Sequence, residues 1–249
     1  MLPLGGMNLQ RPLVTRIAGI VGMAALVACS NSSSKSTETT AAKMQSERND
    51  VLGRLDDATQ VVTKFGEKIP ASESGQSRCV VAIPSMVKGG LIVGGEGGKG
   101  FATCKTASGW SAPAPVSIGG GSIGAQLGVQ STELLALVKT DKGMRSLESG
   151  DFKVGVDASA SAGPVGTGRG STTDLVSYSS SKGLFAGAEL NGSTIKPDKD
   201  AIKALYGSDV DFGGILAGQV AAPADAPAVE RFNSAVTSHY GKGHTGTKK

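Results

Sequence analysis

Beyond Pro70 the apolar residues come in short runs separated by glycine, and this punctuation commits the middle of the chain to β structure. Cys79 to Ile83, Leu91 to Val93, Gly100 to Cys104, Ala112 to Ile118, Gly124 to Gln130, Leu134 to Thr140, Phe152 to Ala160, Asp174 to Ser179 and Leu184 to Glu189 read as strands. They are rich in β-branched and aromatic residues, with glycine or Lys-Gly turns between them. The 37 glycines and 10 prolines in 249 residues stay below the Pro+Gly share of about 25 to 30% that marks low complexity. The expected fold is α+β and mainly β: an antiparallel sandwich or partly closed barrel of about eight or nine short strands.

Helices are expected at both ends of this β region. From Ser46 to Lys68, Val51, Leu55, Ala58, Val62 and Phe65 alternate at four- and three-residue intervals, which lays one apolar stripe along a helix. Ser46, Asn49 and Asp50 supply cap chemistry, and Gly66 with Pro70 ends the helix. The stripe is assigned to the domain core rather than to a bilayer, because Glu47, Asp50, Asp56 and Asp57 share the polar face where interfacial helices favour Lys and Arg. A second helix is expected from near Asp198 to Tyr206, with Gly207 at the C′ position, and a third from Ala226 to Tyr240. Residues 241–249 read as a disordered tail.

The N-terminus has the order of parts of a lipoprotein signal. Arg11 and Arg16 precede an uncharged apolar stretch, Ile17 to Ala28, which ends in Leu26-Val27-Ala28-Cys29. At about a dozen residues the stretch is too short for a membrane span, which needs roughly 20. Cleavage before Cys29 and lipidation of its thiol are expected, and two or more acyl chains hold a protein stably on a bilayer. Ser30 stands where bacterial lipoproteins retained at the inner membrane carry an acidic residue, so an outer-membrane location is expected. The chain then divides into a signal peptide (1–28), a flexible Ser/Thr-rich tether (29–45), a single domain (46–240) and the tail. In an oxidising compartment Cys79 and Cys104 are left as an even pair. They are read either as a disulfide or as two small buried hydrophobes at strand ends.

Several function classes are disfavoured. The formal net charge of +4 falls to +2 once Arg11 and Arg16 leave, and there is no five-residue run of Lys or Arg, which argues against nucleic acid. Gly95-Glu96-Gly97-Gly98-Lys99-Gly100 and Gly119-Gly120-Gly121-Ser122-Ile123-Gly124 both match G-x-G-x-x-G. That motif binds a pyrophosphate only where a helix N-terminus follows, and here both run into strands. No nucleotide and no other cofactor is expected; the glycines are assigned to tight turns and close strand approach. The only two histidines, His239 and His244, lie in or near the tail, so neither a Ser-His-Asp arrangement nor a histidine zinc site is expected. The carboxylate pairs Asp56-Asp57 and Asp209/Asp211 are assigned to solvated helices and loops. No catalytic and no metal-binding residue is named.

The segment VVAIPSMVKGGLIVGGEGGKGF (Val80 to Phe101) resembles the hallmark of the SYLF domain family. The match continues through Gly109 to Pro113, GGGSIGAQLGVQ (Gly119 to Gln130), SYSSSKGLFAGAELNGS (Ser177 to Ser193) and ALYG (Ala204 to Gly207). The resemblance implies a non-enzymatic domain that associates with lipid or membranes, since the family includes phosphoinositide-binding and actin-binding members. The chain departs from the family pattern at Ala71 to Ser77, which is polar where an apolar and basic helical turn is usual. Lys88, Lys99, Lys105 and Lys182 flank or occupy glycine turns, where backbone amides and an ammonium can hold an anionic headgroup; the alternative is that they serve solubility. Trp110, Phe101, Tyr178 and Phe185 are read either as interface-inserting or as core. Two functions follow: a lipid-anchored envelope domain contacting anionic headgroups, or a scaffold for another envelope protein whose membrane contact is limited to Cys29.

Overall fold

The computed structural model describes residues 31–90, 93–123, 128–154, 161–162, 168–171, 175–181 and 192–241. The chain forms two compact units, Met1–Thr40 and Ala41–Lys249. Only the first part of helix α1 (Asn31–Gly66) is described in the former. This helix extends N-terminally of Ser46, through residues expected to form a tether. A short helix α2 (Ala71–Ser74) follows. It occupies the point where the family carries an apolar and basic turn, and it is polar.

The second unit is built on one antiparallel sheet that curls into a half-barrel, so the partly closed barrel, not the sandwich, is observed. Its strands are β1 (Cys79–Gly90), β2 (Val93–Thr106), β3 (Gly109–Trp110), β4 (Ala114–Ile123), β5 (Gly128–Val138), β6 (Phe152–Lys153), β7 (Ser161–Ala162), β8 (Gly168–Ser171), β9 (Leu175–Ser181) and β10 (Thr194–Pro197). The order is β6-β10-β4-β2-β1-β5-β9-β8-β7, with β3 paired to β2. The long strands β1, β2, β4 and β5 carry the centre. The expected strand at Leu184 to Glu189, most of that at Phe152 to Ala160, and Leu91, Ile92 and Asp174 lie outside the described residues.

Alternation along these strands sends apolar side chains to both faces, and each face has its own core. On one face Val80, Ala82, Phe101, Leu135 and Leu137 pack against the stripe of α1 and against α6 (Pro227–Tyr240). On the other, Cys79, Val81, Ile83, Met86 and Val116 pack with α3 (Asp141–Glu148) and α5 (Phe212–Leu216). Both α3 and α5 are absent from the sequence reading. Each is started by a side chain cap: Thr140 Oγ1 accepts from Gly143 N at 3.0 Å, and Asp211 Oδ2 accepts from Gly214 N at 2.6 Å. Helix α4 (Lys199–Tyr206) begins after Asp198 and ends at Gly207, whose φ of 74° is the left-handed conformation expected there.

The glycine-rich stretches are not turns. Gly95 to Gly100 lies within β2 and Gly119 to Ile123 within β4, and the two are paired along their length. The expected separate strands at Gly124 to Gln130 and Leu134 to Thr140 likewise merge into β5, apart from residues 124–127, which are not described. The close approach expected of glycine is tightest at one place. β1 is irregular between Ala82 and Ser85, where Pro84 has no N–H to give the ladder. The carbonyl of Ala82 is turned toward β2 there, and a Cβ on Gly100 would stand 2.0 Å from its oxygen.

Candidate functional site

The β1 irregularity opens a cavity of about 430 Å³ between α1 and the sheet. Arg54, Asp57, Gln60 and Val61 of α1 form one wall; Pro84 and Ser85 of β1, Lys99 of β2 and Glu133 of β5 form the other. Lys99 is brought here by the sheet and Arg54 by the polar face of α1. Both reach Asp198, the cap of α4, with Lys99 Nζ at 2.8 Å and Arg54 Nη1 at 3.7 Å from Oδ2. The Asp198 side chain is 6% exposed, and its Oδ1 accepts from Ala201 N at 3.3 Å. A carboxylate this deep needs compensation, and two cations supply it. Glu133 on the opposite wall is engaged by Lys64 and by the Ser180 hydroxyl. Asp198→Ala should cost at least about 1 kcal/mol through loss of the cap alone, measurable as a lower denaturation midpoint.

Lys105 lies outside this cavity. Lys105 Nζ donates to Gly75 O at 2.9 Å and lies over the half-buried Trp110 ring, 5.4 Å from its centroid. Burial, and then the neighbouring charge of Arg78, lower its pKa. Lys88 stands in the interior of β1, opposite Glu96 of β2 and Gln130 of β5. Lys99 stands well inside β2 rather than at a glycine turn, which corrects that reading. Lys182, Phe185 and Cys29 lie outside the described residues. Cys79 and Cys104 face each other across β1 and β2 and form a disulfide. Phe101 is fully buried against Phe232, with ring centroids 6.2 Å apart, and Tyr178 is buried with its hydroxyl donating to Glu73.

Arg54, Gln60 and Glu133 were not singled out from the sequence, and Asp198 was read only as the start of a helix. Nothing local marks Arg54 or Glu133 as site residues, because their partners come from β2, α4 and α1. Of the expected lysines, the structure places Lys99 in the cavity. Among the described residues no group of three or more His, Cys, Asp or Glu is placed to hold a metal ion, and no helix is long and apolar enough to cross a membrane. His239 lies on α6 against α1, so close to Gly66 that a Cβ there would fall 2.5 Å from its ring.

Residues 119–237 match the family model Ysc84, described as Las17-binding protein actin regulator. An SH3 domain-containing protein of Schizosaccharomyces pombe is 32% identical over 190 residues, covering 72% of this chain and 44% of that protein. Protein YSC84 of Saccharomyces cerevisiae is 32% identical over 162 residues, 61% of this chain and 35% of its own length. The human SH3 domain-containing YSC84-like protein 1 is 27% identical over 207 residues, 79% of this chain and 60% of that protein. The chain thus spans less than two thirds of the length of each of these relatives. No solved structure matches it. The motifs in strands β1, β2, β4 and β9, the matched model and the relatives agree, and the chain belongs to the Ysc84 (SYLF domain) family.

Proposed function

We propose that this is a non-enzymatic, membrane-associating domain that takes an anionic lipid headgroup at the cavity between α1 and the sheet. The observation that carries the reading is the Arg54–Asp198–Lys99 cluster, in which two cations share one buried carboxylate beside a cavity of about 430 Å³. Arg54 and Lys99 offer a phosphate two cationic partners, and the cavity has room for a headgroup. On this proposal Cys29, lipidated after removal of 1–28, holds the domain to a bacterial envelope membrane, the outer one by the identity of Ser30. A second reading, a protein-interaction module, has its own support: the matched family description and the LAS seventeen-binding protein 3 of Saccharomyces cerevisiae are both named for a protein partner.

Vesicle flotation separates the two. The membrane reading expects recovery with vesicles that rises with anionic lipid and falls with salt. Asp198→Asn sharpens the test, because asparagine keeps the cap and removes the charge that holds Lys99 and Arg54. Affinity for anionic vesicles should then rise about fivefold, the worth of roughly one more lysine near a membrane surface. Indifference to lipid composition, with a protein retained through purification, would favour the scaffold. Acylation of Cys29 is checked by the mass of the N-terminal peptide and its loss in Cys29→Ser.

A further inference from the structure

Glycine within a strand costs roughly 0.5 to 1 kcal/mol relative to alanine, so each one there calls for a physical reason. Gly98, Gly100 and Gly120 have one. A Cβ would fall 2.8 Å from Ile83 Cγ2, 2.0 Å from the Ala82 carbonyl oxygen and 2.7 Å from Ser193 Oγ, respectively. Gly95, Gly97, Gly119 and Gly121 have no such reason. All four are exposed, and none has a positive φ. Added Cβ atoms would meet a single backbone oxygen at 3.8 to 4.0 Å, or nothing. They are cross-strand partners, Gly95 with Gly121 and Gly97 with Gly119, so they share one face of the sheet. The chain gives up strand propensity over a whole patch without gaining an internal contact.

What surrounds the patch indicates what lies against it. Val87, 44% exposed, stands on β1 opposite Gly97. Register then carries the same face across the sheet: Lys99 and Lys196 both oppose Ser117, while Thr194 opposes both Gly119 and Lys153. Strands β2, β4, β10 and β6 therefore place Lys99, Lys153 and Lys196 around the patch. The one carboxylate on these strands, Glu96, belongs to the other face, where it is buried and accepts from the Ser193 hydroxyl. Asp198 and Asp151 approach Lys99 and Lys153 from the neighbouring cap and turn. Two copies stacked on this face would oppose lysine to lysine, whereas a flat anionic surface meets it with complementary charge.

We propose that this glycine floor is the docking face for an anionic phospholipid bilayer. The missing side chains let headgroups lie against the strands, the lysines meet phosphates, and Val87 enters between headgroups. The proposal rests on the membrane reading above and assigns it a face, next to the Arg54–Lys99 cavity.

The test is flotation of the full chain carrying Cys29→Ser, so that no acyl anchor contributes. It uses phosphatidylcholine vesicles with and without phosphatidylglycerol, at low and high salt. Gly97→Thr with Gly119→Thr fills the floor with residues that favour strands and meet open space, so its melting temperature should not fall below that of the parent. Its recovery with anionic vesicles should nevertheless drop at least about tenfold, through lost lysine contacts and lost insertion of Val87. Lys196→Gln should bind about fivefold less, and Val87→Ser, which removes only an exposed side chain, should also bind less; these two decide the matter if the threonine variant misfolds. A parent that floats, with all variants floating equally, would leave the membrane reading standing and remove this face from it. A parent that floats with no vesicle removes both, and retention of that parent on heparin would assign the lysines to a soluble polyanion instead.

Discussion

Gly100→Ala is expected to lower stability by about 3 kcal/mol or more, and the variant should be recovered largely unfolded. The reason is one distance. A Cβ at this position would stand 2.0 Å from the Ala82 carbonyl oxygen and 2.9 Å from its carbon, and both are backbone atoms of the adjacent central strand. A flexible side chain would swing aside, but here β1 and β2 must separate at the point where Pro84 already interrupts their pairing. Circular dichroism and a urea midpoint check it, with Gly97→Ala in the same strand as the control. At Gly97 the nearest atom to a new Cβ is 3.9 Å away, so that control should hold or gain about 0.5 to 1 kcal/mol. Equal effects at the two positions would mean that β1 does not carry its irregularity at Ala82 to Ser85.

Removing the disulfide with Cys79→Ala and Cys104→Ala should cost about 3 to 4 kcal/mol, from the added freedom of the unfolded chain when a loop of this size is opened. The two residues are 25 apart in sequence and directly opposed in β1 and β2. Both are fully buried, so reductant reaches the bond only when the hairpin opens. Guanidinium unfolding of the parent should therefore shift to a lower midpoint in reductant, and the double variant should show that lower midpoint in either condition. A double variant within about 1 kcal/mol of the oxidised parent would show that the bond contributes little in solution.

These two positions also show how far local patterns reach. The stripe of α1 and both ends of α4 were legible, because three- and four-residue spacing, a capping Asp198 and a left-handed Gly207 are properties of adjacent residues. The glycine stretches were assigned to tight turns and close strand approach; they are strands, and the close approach is present. What requires glycine at Gly98 and Gly100 is the backbone of β1, and what requires it at Gly120 is Ser193 of the segment leading to β10. Helix α3 was missed because Gly143 interrupts a short polar run whose burial of Leu147 depends on the sheet. Lys99 was found for a reason that does not hold, a glycine turn. Its place in the cavity comes from Asp198 and Arg54, which only the folded sheet brings together.

The contacts between α1 and α6 set the order in which the molecule closes. Arg231 donates to both carboxylate oxygens of Asp56 at 2.7 to 2.9 Å, and the Tyr240 hydroxyl donates to Val62 O at 3.1 Å. Helix α1 is thus clasped by α6, with the whole sheet between them in sequence. Contacts of such separation form late, after loop closure has been met by the intervening strands. A ribosome releases Tyr240 only after every strand of the sheet, so until then the apolar side of α1 has no completed seat. The nascent domain stays open until α6 arrives, and a truncation before Pro227 should leave it open for good.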